Sequence, residues 1–287
     1  MRPKLLTAIC VLASSLAPAQ IQPAITGQWV IAGPIIQQRV PLRFSTSPNS
    51  ISESAVPLRQ LRGFPLSQID PGAWPQRPEA VQFDVVREAG TLLMSGYLRN
   101  GSGGGDFSFT LDPNFAAEMR LLGFDDLSDR KAFAMAVYDV GPSFVRELGR
   151  LGVRLRSSNQ LVGMAVQHVT LQYVREFYDL GYSNVSADIL ISMRVQGIWP
   201  DFARELRDLG YGLVAPKEMV DMRVQGVSTD FIKQIEALGF AHPGVRQLIS
   251  MRVQGVTPEY IRRVWSQGLR NLSLDQIVSL RVQGIGE

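Results

Sequence analysis

The chain has 287 residues, 45% of them hydrophobic, with 29 basic against 26 acidic side chains and one cysteine. That length and apolar content suffice for a sizeable core, and the near balance of charge excludes the concentrated basic face that a nucleic-acid partner demands. A single cysteine excludes a disulfide framework, so the core alone must hold the fold.

Residues 1–19 are expected to be a signal peptide. Arg2 and Lys4 precede an apolar run over residues 5–16, and Ala17-Pro-Ala fits the small-residue pattern before a cleavage point near Gln20. The run is too short to span a bilayer, which takes about 20 apolar residues. An uncleaved anchor is the competing reading. Cys10 follows Ile9 early in the run, which does not fit a lipid-modified cysteine. No later stretch is long and apolar enough to cross a membrane, so the mature chain is expected to be periplasmic or extracellular. Removing Arg2 and Lys4 from the 29 basic residues leaves 27 against 26 acidic ones.

Residues 25–111 read as a small antiparallel β domain, either a sheet or a partly open barrel. Alternation of apolar and polar residues marks strands at 27–32, 39–45, 81–87, 92–98 and 106–111. Residues 88–90 and the glycine run 100–105 supply tight turns, which makes the last three strands a meander. The intervening stretch 46–78 is rich in Pro and Ser, with one short helix or turn near Val56 to Gly63.

From residue 112 to 287 the period becomes helical, and the chain repeats itself. Met193-Arg-Val-Gln-Gly recurs at Met222, Met251 and Leu280, each start 29 residues after the last, and weaker copies start at Met164 and Met135. Phe115, Phe144, Tyr173, Phe202, Phe231 and Tyr260 keep the same phase, as do Gly123, Gly152, Gly181, Gly210, Gly239 and Gly268. A fixed period of this size is the signature of a stacked array, and such short helices must bury themselves against neighbours. The expectation is an α+β chain whose second part is an αα-repeat solenoid of six 29-residue units, about twelve short helices. Thr257 with Pro258, and Ser273 with Gln276, mark helix starts. Ile277, Leu280 and Val282 are expected to face inward. The sheet is expected to cap the array, and Gln267 replaces the leucines at Leu209 and Leu238 as suits an exposed end.

Few positions offer chemistry. His168 and His242 stand apart, and a zinc site needs three or four converging ligands. The glycine run lacks the Lys-Ser/Thr of a phosphate loop, and no nucleophile signature is present. No metal or cofactor is expected. Trp29, Trp74 and Tyr97 could offer stacking surface in the β domain, though core positions suit them better. The remaining candidate is a ladder, Arg194, Arg223, Arg252 and Arg281 beside Gln196, Gln225, Gln254 and Gln283. Arginine in a last turn favours the helix dipole, can bond terminal carbonyls, and could pair with Asp201, Asp230 or Glu259. The other reading of the ladder is a stripe that binds anions or peptides.

The units L-x-x-L-G-[YF] and M-R-V-Q-G-V-T-P-E-[YF]-I, joined to the segment G-Y-L-R-N-G-x-G-x-G-x-F-x-F, resemble an exported bacterial architecture. It accompanies, or forms the extracytoplasmic tail of, BlaR/MecR-type membrane zinc peptidases, and the resemblance covers residues 27–287. The peptidase's H-E-x-x-H helix and its spans are missing here, so no site residue carries over. The resemblance implies an extracytoplasmic sensing or docking module. The expected function is therefore non-enzymatic binding or scaffolding, with another envelope protein or a peptide as partner. The alternative is a carbohydrate-binding or hydrolytic protein with its site in the β domain.

Overall fold

The computed structural model describes residues 25–69 and 77–286. The expected signal peptide, its cleavage point, Cys10 and Trp74 lie outside the described residues. Seven strands come first: β1 (Ile25–Ile31), β2 (Arg39–Ser47), β3 (Ser50–Pro57), β4 (Leu61–Arg62), β5 (Glu79–Arg87), β6 (Gly90–Arg99) and β7 (Ser102–Leu111). They form one curled antiparallel sheet in the order β3-β2-β1-β7-β6-β5-β4. The expected meander is β5 to β7.

Two elements depart from the sequence reading. β3 lies in the Pro/Ser-rich stretch, where weak strand formers gave no signal; its pairing with β2 comes from the hairpin turn at Pro48-Asn49. The glycine run is mostly strand, not turn, and Gly103, Gly104 and Gly105 all pair within β7. A Cβ on Gly96 or Gly105 would run into the backbone of the facing strand, so this crossing of β6 and β7 requires glycine.

Twelve helices follow: α1 (Phe115–Leu121), α2 (Asp129–Tyr138), α3 (Pro142–Arg150), α4 (Ser158–Val166), α5 (Leu171–Asp179), α6 (Ala187–Val195), α7 (Pro200–Asp208), α8 (Pro216–Val224), α9 (Thr229–Glu236), α10 (Val245–Val253), α11 (Pro258–Ser266) and α12 (Leu274–Val282). The chain is thus α+β. Side chains of Ser128, Ser157, Thr170, Ser186, Ser228, Thr257 and Ser273 cap helix starts by accepting from the third backbone N–H. Even-numbered helices end in the left-handed region, which Gly197, Gly226, Gly255 and Gly284 supply without strain and which Asp139 and His168 occupy earlier in the chain. Among the described residues no helix is long and apolar enough to cross a membrane.

The sheet curls around α2. Phe133 stacks on Phe107 with ring centroids 5.4 Å apart and meets Phe44 and Phe109 edge-on. Trp29, Phe83, Leu92 and Met94 complete this core, to which α1 and α4 add Phe115, Met119 and Leu161. A second core runs from Leu148 to Ile277. Five of the six phased aromatics are buried; Phe144 is half-buried because it lies on the seam between the two cores. Gln267, on the last odd-numbered helix, is exposed.

The turn between β5 and β6 bolts the sheet to the helices. The Glu88 carboxylate accepts from the Ser143 N–H at 3.1 Å, in the first turn of α3, and from its hydroxyl. Arg87 reaches Asp139 at 3.0 Å, and Gln60 donates to the same carboxylate at 3.0 Å. Burial lowers the Arg87 pKa, and Asp139 opposes that shift.

Candidate interaction surface

Each ladder arginine sits in the last turn of an even-numbered helix and folds onto an aromatic ring of the preceding odd-numbered one. Arg194 lies 5.2 Å from the Tyr173 ring centroid and 4.0 Å from that of Trp199. Arg223 covers Phe202 at 4.1 Å, Arg252 covers Phe231 at 5.1 Å, and Arg281 covers Tyr260 at 5.1 Å. These are cation–π distances. The Nε groups point backwards along the chain: Arg194 donates to the Gln167 carbonyl at 3.1 Å and Arg252 to the Gln225 carbonyl at 3.3 Å. Those carbonyls end the previous even-numbered helix, so the cation meets the negative end of its neighbour's dipole. Gly226 leaves the space that the Arg252 guanidinium fills. The Arg223 Nε is buried without a hydrogen-bond partner and rests against the Phe202 ring.

Two of the three acids expected beside the ladder pair elsewhere. Asp201 pairs with Arg204 and Glu259 with Arg262 on their own helices. Ala136 and Ala165 take the arginine position in the first two copies because the core of the sheet fills that space. Gln196, Gln225, Gln254 and Gln283 are the residues that close α6, α8, α10 and α12; the last three are exposed and Gln196 is half-buried.

Beside the glutamines runs a row the sequence reading missed. Val166, Val195, Val224, Val253 and Val282 are between 43% and 63% exposed. Val282 therefore faces solvent, contrary to the expectation that it points inward. The reason is helical geometry. Each of the last three valines lies two positions after a residue of the inward stripe, such as Met222, and two steps of about 100° carry it to the opposite face. Half-buried Val162, Ile191, Val220, Ile249 and Val278 lie one turn earlier and widen the row. Even-numbered helices also pack closer to one another than odd-numbered ones do.

The odd-numbered helices carry a different pattern. Arg146 reaches Glu118 at 3.2 Å, Arg175 reaches Glu147 at 2.8 Å and Arg204 reaches Glu176 at 3.8 Å, each acid 28 residues upstream. These exposed rungs contribute about 0–1 kcal/mol each. Tyr173 donates its hydroxyl to the Ile198 carbonyl at 2.8 Å, and burial raises its pKa.

The other candidates lie apart. His168 is in ring contact with Tyr138, and His242 stacks on Tyr211 with centroids 4.3 Å apart. Among the described residues no three His, Cys, Asp or Glu side chains converge as metal ligands. Trp29 is a core residue whose indole N–H donates to the Ser95 carbonyl at 3.1 Å. Tyr97 is 64% exposed, not buried as expected.

No match emerges. Neither family models, nor curated proteins, nor solved structures match this chain.

Proposed function

We propose that this chain is a non-enzymatic extracytoplasmic binding or scaffold protein that engages an envelope protein or peptide along its even-numbered helices. In this reading residues 112–287 form an αα-solenoid of six 29-residue units, exported by the leader at residues 1–19. The resemblance to the tails of BlaR/MecR-type peptidases fits a sensing or docking role. The observation that carries the reading is the valine row. Helices packed about 8–10 Å apart would make it a ridge roughly 32–40 Å long, and a contiguous apolar strip of that kind marks an interaction surface. The glutamines beside it offer amide groups to a partner's backbone. The arginines serve as stitches between units, because each ring-stacked guanidinium is committed to the preceding helix.

The test places a photo-crosslinking residue at Val224, or at Lys233 on the outer helices, in protein expressed in the producing cell. Crosslinks are expected from Val224 and not from Lys233. Val195→Asp with Val253→Asp should abolish them while leaving the melting temperature unchanged. Equal crosslinking from both sites, or crosslinking that survives the double variant, refutes the reading.

A further inference from the structure

A trench lies between the β3 end of the sheet and the helices α2 and α4. Among the described residues β3 has β2 on one side and no strand on the other. The Ala32 N–H bonds to the Pro41 carbonyl at 2.8 Å, so the Pro41 backbone faces β1. By alternation Leu42 and Phe44 face β3, where they oppose Ser54 and Ser52. The main-chain groups of Ile51, Glu53 and Ala55 must then point outward from the sheet, where the Ala55 carbonyl accepts from the Arg39 guanidinium and those of Ile51 and Glu53 face the trench. Ser50, Ser52 and Ser54 turn their side chains towards the helices and are half-buried. Opposite them stand Phe133, Tyr138, Val162 and Val166, across a hollow of about 710 Å³. A second hollow of about 430 Å³ continues past Tyr138 to Ser54 and Ala55.

The charge of this trench is one-sided. Arg130 lines the first hollow and Arg39 the second. The only acid on their walls, Asp139, already pairs with Arg87. Among the described residues neither Arg130 nor Arg39 has an acidic partner.

We propose that the trench is a docking site for an extended segment of a partner protein, which pairs with the open edge of β3 as an eighth strand. Backbone bonds to Ile51 and Glu53 give the pairing its register. Alternate side chains of the segment fall on Phe133, Tyr138, Val162 and Val166, so they are aliphatic. Acidic residues at the segment's ends meet Arg130 and Arg39. At about 3.4 Å per residue the stretch from Ser50 to Ala55 spans roughly 20 Å and takes a segment of about six residues. This site shares Val162 and Val166 with the first rung of the valine row, but it rests on the sheet edge, and the Val195 and Val253 variants that test the row leave it untouched.

The probe is a fluorescein-labelled synthetic peptide of sequence E-V-T-V-T-V-E, titrated into the full chain lacking its leader and followed by fluorescence anisotropy. Saturable binding is expected. Methylating alternate backbone nitrogens of the peptide should weaken binding on the order of tenfold, the loss of one or two backbone bonds. Replacing its two glutamates by lysines should weaken it as well. Glu53→Pro should bind correspondingly less while keeping its circular dichroism, because proline is tolerated on an edge strand when its nitrogen faces outward. Arg130→Glu, at an exposed position, is the second variant and should also bind less. Absence of saturation, equal binding of the methylated peptide, or parental affinity in both variants overturns the proposal. A dimer by light scattering that Glu53→Pro dissociates would assign the edge to a second copy and overturn it equally.

Discussion

Phe202→Ala probes the packing between successive helical pairs. The ring is 3% exposed in the helical core with Leu206 and Met222, and Arg223 covers its face at 4.1 Å. Truncation to alanine removes on the order of 120 Å² of buried apolar surface, about 3 kcal/mol at 25 cal/mol per Å². The helices on either side are held by their own neighbours, so the gap collapses only in part and adds about 1 kcal/mol. The guanidinium loses its ring and adds about 0.5–1 kcal/mol more. The expected loss is about 4–5 kcal/mol. Urea unfolding followed by circular dichroism and by tryptophan fluorescence measures it, and coincident curves justify converting midpoints to free energies. Arg223→Ala and the double variant complete a cycle whose coupling should be about 0.5–1 kcal/mol. A loss under roughly 1.5 kcal/mol would mean that the site repacks, and zero coupling would mean that the ring and the cation do not interact.

Two further outcomes are expected. The hydrogen bond from Lys131 at 2.8 Å, and then that from the Ser158 backbone N–H at 3.2 Å, hold the Asp126 carboxyl down at about 2. Its stabilisation is present above the ordinary value of 3.8 and is lost as pH falls towards 2. The difference in melting temperature between the parent and Asp126→Asn should therefore shrink from pH 5 to pH 2, and a constant difference would sink the assignment. Glu88→Ala removes the side-chain cap of α3 and should cost about 1 kcal/mol. Amide exchange at Ser143 should speed up in that variant, and unchanged protection there would show that the cap contributes nothing.

What the amino-acid order revealed depended on the size of the side chains involved. β1, β2, β5 and β6 alternate large apolar residues with polar ones, so they were legible. β3 alternates serine with mixed residues, because its inner face looks onto a trench instead of a packed core, and it left no apolar signal. The first half of β7 was hidden by glycines that resemble a turn but serve a close strand crossing. The phase of the aromatics was plain, whereas the partners of the arginines were not. Arg194 bonds the carbonyl of Gln167, 27 residues upstream, and that pairing becomes visible only once the stacking of the helices is known. The valine row escaped for a related reason. Its last four residues lie between the ladder arginines and glutamines, and only the angle about the helix axis separates Val224 from Met222.

The backward reach of the arginines gives the helical pairs an order of dependence. Arg146 and Arg175 each bond a carboxylate 28 residues earlier, and Arg194 and Arg252 each bond a carbonyl 27 residues earlier. These guanidinium groups bond the preceding pair, and Arg194 alone among them also stacks on the start of the next, at Trp199. A chain cut after α8 would keep partners for all these groups up to that point. A chain stripped of α1 would leave Arg146 facing no carboxylate. Loss from the earlier end therefore removes the acceptors of guanidinium groups that remain, whereas loss from the later end leaves those acceptors in place.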